Sequence, residues 1–270
     1  MTGRKLRVSV PALLVTLFFT LAVAYIALPV LSLFLKANLG ELPSALDDPV
    51  IRDALWLSLT TTVISTAIIV VIGTPIAYVT ARYRYPGKEI VDSVIDLPVV
   101  MPPAVAGIAL LMAYGRLGVA GHYFSAFGVT FAFTTTAVMM AQVFVASPFY
   151  IRQARTSFED VDRAYENAAR TLGASPVRTF FAVTVPIAMN GLVSGAILSW
   201  ARALGEFGAT IMFAGNFQGR TQTMPLAVYM ALNGDLNAAL VLSIILVAIS
   251  FVVIVAVKVL TRRGLILAHD

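Results

Sequence analysis

Long apolar stretches constrain this sequence more than any other feature, and each is separated from the next by a polar or basic segment. A helix needs about 20 mostly apolar residues to cross the hydrocarbon core of a bilayer. Charged residues make up 12% of the 270 residues, about half of the share in an average soluble domain. We therefore predict an all-α polytopic membrane protein, with residues 1–270 forming a single transmembrane domain. Six spans are predicted, at 11–35, 56–81, 94–114, 131–151, 187–213 and 237–258.

Lys and Arg residues are distributed unevenly between the two sides of these predicted spans. Fourteen of the 19 lie on one side, four lie on the other, and Arg202 lies within a span. Because cytoplasmic segments carry the excess of Lys and Arg, both termini are predicted to be cytoplasmic. The longest cytoplasmic connection is then 152–186, and the protein is expected in a plasma membrane or a bacterial inner membrane.

The composition also argues against several classes of function. The net charge of +5 comes from scattered basic clusters, which fit membrane-facing loops better than a nucleic-acid surface. The chain has no cysteine, so it forms no disulfide and no Cys-ligated metal site. Its two histidines, His122 and His269, form no metal-spaced cluster, and no nucleophile with a nearby base stands out. We therefore predict no catalytic residue, no metal and no nucleic-acid partner.

The third predicted span contains three prolines, Pro98, Pro102 and Pro103. Proline lacks a backbone donor and its ring collides with the preceding turn, so this span should be kinked or broken near its start. Irregular backbone is tolerated in a bilayer where it packs against protein or lines a water-filled path. Pro102 and Pro103 are therefore candidate pathway or gate residues, and a merely kinked structural helix explains them equally well.

The 152–186 connection contains a predicted amphipathic helix of about three turns. Ser157 and Asp160 have the spacing of an acidic capping box, and Gly173 stands where a left-handed C-terminal cap belongs. Ser175 and Pro176 then favour the start of a new helical segment. The spacing predicts ion pairs between Glu159 and Arg163 and between Glu166 and Arg170. One apolar face is predicted from Val161, Ala164, Tyr165, Ala168, Ala169 and Leu172.

Two interpretations of this short helix remain open. It could rest on lipid headgroups, as amphipathic helices at membrane surfaces do. Its apolar face is narrow and rich in alanine, however, and short side chains bury little area in lipid but let a helix settle deep into a groove of a protein partner. The physical argument favours a docking site for another protein.

At these residues the sequence resembles the permease subunits of type I ABC importers. Their signature is Glu-Ala-Ala, three residues, Gly, nine residues, then Ile-x-Leu-Pro. Asn167 stands at the position of the signature's glutamate, and Glu166 lies one residue earlier. The matching positions are Ala168, Ala169, Gly173, Val183, Val185 and Pro186.

In this family the loop is a coupling helix that docks in a cleft of a cytoplasmic ATPase subunit. The resemblance therefore implies ATPase-coupling roles for Glu166, Asn167, Ala168, Ala169, Arg170, Gly173 and Pro186. The chain has no Gly-x-x-x-x-Gly-Lys-Ser/Thr phosphate loop, so ATP and Mg are expected on a partner ATPase, with no cofactor in this chain. The implied assembly contains two copies of the permease, two ATPase subunits and an external solute-binding protein.

A second region of resemblance concerns the substrate. The stretches WARALGEFGATIMFAGN (200–216), YGRLGVAG (114–121) and TFAFTTTAV (130–138) look like the molybdate/tungstate branch of these permeases. The sulfate/thiosulfate branch is similar, but its counterpart of GEFGAT more often contains Tyr and Ser. The resemblance, which covers about 54–260, implies inward transport of molybdate or tungstate by alternating access. The sulfate/thiosulfate permease is the alternative, and a secondary transporter or a membrane enzyme is the alternative from a different class.

The fifth predicted span carries charges and a row of small residues. Small residues recur every four positions at Gly191, Gly195, Ser199 and Ala203, which favours close approach of a neighbouring helix. Arg202 and Glu206 lie four residues apart, and charges within a membrane usually face a cavity or the protein interior. They are candidate pathway residues for a passing dianion. An ion pair that only fixes helix packing is slightly favoured. The external loop 215–225 is a candidate contact for the binding protein, although such loops are more often only solvated.

Overall fold

The computed structural model describes residues 10–266, and all regular structure in this range is helical. A 3₁₀ turn spans Leu39–Glu41 and a π-helical turn spans Phe180–Thr184. The α-helices are α1 (Val10–Lys36), α2 (Leu42–Asp47), α3 (Pro49–Arg82), α4 (Lys88–Val100), α5 (Pro103–Tyr114), α6 (Gly121–Ala126), α7 (Thr135–Glu159), α8 (Arg163–Thr171), α9 (Pro176–Thr179), α10 (Val185–Leu204), α11 (Gly208–Ala214), α12 (Met224–Leu232) and α13 (Leu236–Ile266).

The described residues contain four helical segments that are long and apolar enough to cross a membrane. A bent pair, α4 with α5, would make a fifth span. These segments are Leu14–Lys36, Pro49–Arg82, Pro176–Leu204 and Leu236–Val257. Residues 1–9 and 267–270, on which the predicted position of both termini partly depends, lie outside the described residues.

The predicted span 131–151 lies largely within α7, which does not meet the same test of length and hydropathy. Helix α7 is the central helix of the bundle and packs against both α3 and α10. Its sequence carries polar side chains such as Gln142 because they meet other helices rather than lipid. Apolar content alone therefore locates α7 less clearly than it locates the peripheral helices.

The predicted span 94–114 is not one helix. Helix α4 ends at Val100, Met101 and Pro102 are extended, and α5 begins at Pro103 with its axis bent by 117° from that of α4. Two factors produce the break: a residue before a proline is pushed out of the helical region, and Pro103 is suited to a first helical position. The prolines therefore break this segment rather than merely kink it.

The predicted span 187–213 is also interrupted. Helix α10 ends at Leu204, residues 205–207 break the path, and α11 begins at Gly208. At the other end, α10 follows the π-helical turn Phe180–Thr184, in which the N–H of Val185 is donated to the carbonyl of Phe180. Pro186 lies in the first turn of α10, where its missing N–H costs little.

Close approach between α7 and α10 depends on the predicted row of small residues. A Cβ atom added to Gly191 would lie 1.6 Å from Ser157 Oγ, and one added to Gly195 would lie 3.1 Å from Gln153 Cβ. Further along the row, Ser199 Oγ donates to the carbonyl of Ala146 at 3.0 Å. The row therefore makes the contact that its spacing predicted.

Polar side chains inside the bundle are joined across helices. Gln142 of α7 donates through Nε2 to Thr61 Oγ1 at 3.1 Å and accepts from Ser65 Oγ at 2.9 Å. Trp200 Nε1 of α10 donates to Thr62 Oγ1 at 3.1 Å, so α10 is also hydrogen-bonded to this part of α3. Pairing of this kind is required where water is absent.

We predict that Gln142→Leu weakens the bundle, because the variant removes both cross-helix hydrogen bonds. The free energy of unfolding should fall by about 1 kcal/mol, the scale of such bonds in membrane proteins. Denaturant titration in mixed micelles measures it. Ser147→Ala is the matched control, since the Ser147 hydroxyl bonds only within its own helix, to the carbonyl of Phe144. Equal stability of both variants would contradict the prediction.

Candidate functional site

Helix α7 runs into the predicted connection 152–186, which carries the predicted docking helix. Helix α7 continues to Glu159, so Ser157 lies inside it and donates to the carbonyl of Gln153 at 2.8 Å. The predicted capping box is therefore wrong. The N-cap of α8 is Asp162, whose carboxylate accepts from the N–H of Ala164 at 2.8 Å. This bond satisfies one of the free donors at the helix start.

The predicted ion pairs within this segment do not form among the described residues. Glu159 pairs with Arg155 at 2.9 Å, one turn earlier in α7. Glu166 pairs with Arg82, the last residue of α3, at 3.0 Å. Glu159 thus keeps a local i,i+4 partner on its N-terminal side, whereas Glu166 has a tertiary partner in place of Arg170.

Glu166 faces the body of the protein. Its side chain is 8% exposed and that of Arg82 is 7% exposed. The same carboxylate oxygen also accepts from Thr184 Oγ1 at 2.8 Å, and the guanidinium of Arg82 donates to the carbonyl of Val161 at 2.8 Å. Removing one member of a buried ion pair costs about 3–5 kcal/mol, because the other charge is left unpaired. In this chain Glu166 is therefore an internal anchor, whereas the resemblance implied a contact with a partner.

The opposite side of α8 is uncovered. Tyr165 is 59% exposed and Leu172 is 88% exposed, and Ala164 and Ala168 are exposed beside them. Asn167 and Arg170 are exposed as well, and Ala169 is half-buried. Val161, predicted on the same apolar face, is buried in the core before α8 begins. The remaining apolar surface on α8 is therefore available to another molecule.

Gly173 ends this surface with a backbone that favours glycine. Its φ is +85°, in the left-handed region, and its N–H is donated to the carbonyl of Arg170 at 2.9 Å. The N–H of Ala174 is donated to the carbonyl of Ala169 at 3.0 Å, so the last turn of α8 is closed as the sequence predicted. A Cβ at Gly173 would meet nothing within 4 Å of its own chain. A side chain at this position would therefore be strained by its own left-handed backbone rather than by packing against the rest of the chain.

The pathway candidates lie at the two helix breaks. Arg202 Nη1 lies 2.7 Å from Glu206 Oε2, with side-chain exposures of 29% and 1%. The other carboxylate oxygen of Glu206 accepts from the N–H of Ala209 at 2.8 Å and so caps α11. Glu206 lies in the break rather than on a continuous helix face. The ion pair and the cap together explain how a buried carboxylate is accommodated there.

The two breaks are adjacent in space. A Cβ atom at Gly208, the first residue of α11, would lie 2.6 Å from Pro103 Cβ, the first residue of α5. The two breaks therefore pack against each other at this point, while Pro102, Pro103 and Gly205 are exposed on the described chain. The structure therefore brings together Pro102, Pro103, Arg202 and Glu206 as one region.

The external loop 215–225 is more buried than a solvated loop would be. Thr221, Gln222 and Thr223 are buried, and the Thr221 hydroxyl accepts from the N–H of Phe217 at 2.9 Å. The exposed part is the tip, 217–220. Within residues 215–225 the exposed surface is therefore concentrated at this tip.

Ion pairs that the sequence did not reveal fix α4 on the C-terminal part of α7. Arg152 pairs with Asp96 at 2.5 Å and Arg155 pairs with Asp92 at 2.9 Å. Hydrogen bonds to Glu159 and then to Asp92 raise the pKa of the Arg155 guanidinium. The i,i+4 spacing of the two aspartates is visible in the sequence, but nothing local indicates their partners. Among the described residues, no group of three or more His, Asp or Glu side chains could hold a metal ion.

Comparison with known proteins identifies similar sequences over most of the chain. The model of a family described as "Binding-protein-dependent transport system inner membrane component" matches residues 69–264. The molybdenum transport system permease protein ModB of Mycobacterium tuberculosis is 39% identical over 242 residues, covering 90% of this chain and 92% of that protein. The molybdate/tungstate transport system permease protein WtpB of Pyrococcus furiosus is 36% identical over 244 residues, covering 90% and 92%.

The fold is similar to that of a chain in a solved transporter. The crystal structure is that of a bacterial alginate ABC transporter in complex with an alginate pentasaccharide-bound periplasmic protein. The TM-score is 0.76 over 93% of this chain and 94% of that chain, at 14% sequence identity. At this identity the likeness shows the fold alone.

We predict that Gly208→Ala separates the two broken segments, because its Cβ would collide with Pro103. Overpacking of this kind costs about 1–3 kcal/mol, and a lower Tm of the purified chain in detergent measures it. Gly205→Ala in the same break is the matched control. Its added Cβ would lie 3.7 Å from the nearest atom, the carbonyl oxygen of Ala201, at ordinary contact distance. A Tm for Gly208→Ala equal to that of the control would contradict the packing described.

Proposed function

Because the chain belongs to the family of binding-protein-dependent transport system inner membrane components, we propose that it imports molybdate or tungstate as the permease subunit of an ABC transporter. Relatives named as molybdenum and molybdate/tungstate permeases cover 90% of the chain, which supports this substrate over sulfate or thiosulfate. The chain moves the anion and does not itself hydrolyse ATP, which is the task of a separate ATPase subunit.

The exposed face of α8 is the observation that supports the proposed coupling to ATP hydrolysis. A nine-residue helix has a capped start, a glycine end and a buried anchor, yet its outer apolar face is uncovered. Isolated helices shorter than about 12–15 residues are marginal in water, so this one depends on its tertiary contacts. We assign its outer face, with Asn167, Ala168, Ala169, Arg170 and Gly173, to docking in a cleft of the ATPase subunit. Pro186 positions the start of α10 behind it.

The proposed assembly contains two copies of this chain, two ATPase subunits and an external oxyanion-binding protein. All six predicted spans belong to this arrangement, with both termini in the cytoplasm and the protein in a bacterial inner or plasma membrane. The excess of Lys and Arg on one side supports the orientation. The exposed tip 217–220 would face the binding protein.

Transport then proceeds by alternating access. ATP binding closes the two ATPase subunits, and each α8 transmits that motion, so that the paired permeases open to the outside and receive the anion. Hydrolysis and product release restore the inward-facing state. We place the gate at the adjacent breaks near Pro102 and Pro103 and near Glu206. Arg202, partly exposed and already paired with Glu206, offers a passing dianion a partly compensated positive charge.

Uptake into proteoliposomes tests the function. The complete complex is reconstituted with its binding protein and given labelled molybdate, with unlabelled tungstate or sulfate in competition. ATP-dependent uptake that tungstate inhibits and sulfate leaves unchanged is expected. Sulfate competing as well as tungstate would overturn the substrate, and uptake without any ATPase subunit would overturn the ABC mechanism.

We predict that Gly173→Asp preserves membrane insertion but abolishes stable binding of the ATPase subunit. The variant places a side chain on a left-handed residue, which is strained, and points a charge into the docking surface. Co-purification of the ATPase subunit measures the loss. Gly87→Asp is the matched control, because Gly87 has a φ of +81° and equally open surroundings but lies at the start of α4. Normal ATPase binding by Gly173→Asp would refute the docking assignment.

We predict that Arg202→Gln depresses uptake about tenfold, because loss of one partly desolvated charge removes on the order of 1–2 kcal/mol of anion stabilisation. Assembly of the complex and its basal ATP hydrolysis should persist. Arg52→Gln, on the exposed start of α3, is the control for a change in total charge. Loss of the assembled complex in detergent would instead show that the ion pair with Glu206 serves only helix packing.

A further inference from the structure

We propose that the buried ion pair between Arg82 and Glu166 makes α8 move as one body with α3. Arg82 and Glu166 are then positioning residues for coupling. The inference rests on the proposed function, because it concerns how motion at the docking helix reaches the membrane. It assigns to Glu166 a role inside the chain. It also separates the residues that bind the ATPase subunit from those that transmit its motion.

The first support is the geometry at the end of α3. Arg82 is the last residue of α3, and its Nη2 donates both to Glu166 Oε1 at 3.0 Å and to the carbonyl of Val161 at 2.8 Å. In the reverse direction, Arg163 Nη2 donates to the carbonyl of Arg82 at 3.0 Å. The terminal residue of a membrane helix is therefore tied to α8 at its first residue, at its fourth residue and at the residue before its N-cap.

The second support is that one carboxylate joins three segments. Glu166 Oε1 accepts from Arg82 of α3 and from Thr184 Oγ1 in the π-helical turn that leads into α10, at 3.0 and 2.8 Å. Thr184 is fully buried. A buried carboxylate cannot leave these donors without an unpaired charge remaining in an apolar setting. Displacement of α8 therefore carries α3 and the start of α10 with it.

The third support is the register of the acidic residue. Consecutive residues on a helix point about 100° apart, so Glu166 faces inward while Asn167, which fills the signature's acidic position, faces outward and is exposed. The outer face consequently carries no carboxylate between Tyr165 and Thr171. In the proposal, residues that bind the ATPase subunit and residues that transmit its motion to the membrane helices lie on different sides of α8. A variant can therefore disturb one of these roles without the other.

The first experiment measures anchoring without any ATPase subunit. Amide hydrogen exchange of α8 is followed in the full-length chain in nanodiscs. Arg82→Met and Glu166→Leu each leave one buried charge unpaired, so exchange of the α8 amides should accelerate at least about tenfold while that of central α7 stays unchanged. The double variant Arg82→Met/Glu166→Leu has no unpaired charge, and its exchange should return to within about threefold of the parent.

The second experiment measures coupling in the complete complex. Each single variant should still bind the ATPase subunit through the outer face of α8, yet molybdate uptake per ATP hydrolysed should fall about tenfold. The double variant should recover most of this ratio. A purely structural role would lower the amount of complex and leave the ratio unchanged. Glu159→Gln is the matched control, since it removes a carboxylate from an exposed pair close to α8.

Three results would overturn the proposal. The first is that the α8 amides of the single variants exchange at the parental rate. The second is that the single variants keep the parental ratio of molybdate uptake to ATP hydrolysis. The third is that the α8 amides of the double variant exchange as fast as those of the single variants. If the single variants do not fold, Thr184→Val tests the anchoring of α8 instead, because it removes one hydrogen bond to Glu166 without leaving a charge unpaired. It should accelerate α8 exchange about threefold, and no acceleration would refute the anchor. A parent complex without ATP-dependent uptake would refute the proposed function, whereas the exchange experiment would still decide the anchor.

Discussion

Buried polar groups that must be paired inside the protein determine much of this structure. Burying a polar group in an apolar bundle without a hydrogen bond costs free energy, which favours a partner on another helix or at a helix end. Gln142, Thr61 and Ser65 do so between α7 and α3. Glu206 does so with one neighbouring arginine and one backbone donor, and Glu166 does so with Arg82 and Thr184. Each of these pairings joins segments that hydrophobic packing alone would leave free to slide.

The same constraint explains why the two interrupted segments lie together. A break exposes backbone donors and acceptors that lipid cannot satisfy. Here α5 and α11 start side by side, with Pro103 against Gly208, and the carboxylate of Glu206 satisfies a donor at the start of α11. The irregular region is covered only in part, since Glu206 is buried whereas Pro102, Pro103 and Gly205 are exposed on the described chain. Residues 101–102 and 205–207 lie outside the regular helices, which suits the gate that we propose there.

The sequence predicted the features that depend on length and local spacing. The peripheral apolar helices, the break at Pro102 and Pro103, the small-residue contact at Gly191 and the glycine end of α8 all follow from such rules. The break after Leu204 was not predicted, because Gly205 and Glu206 sit within an apolar stretch that reads as one span. The partner of Glu166 was not predictable either. Arg170 lies at the favoured local spacing, whereas Arg82 is distant in the chain and is brought close only by tertiary packing.

The opposed faces of α8 have a consequence for how such a chain changes partners. In the proposed docking, contacts to an ATPase subunit would involve exposed side chains such as Tyr165, Ala168 and Leu172. The contacts of Glu166 on the inner face do not involve the side chains of the outer face. Under the proposed docking, substitutions at a few exposed residues of α8 would suit the permease to a different ATPase subunit. The contacts between α8 and the membrane helices would stay unchanged. If α8 docks as proposed, the choice of ATPase subunit would depend on the outer side of one short helix and the internal connection on its inner side.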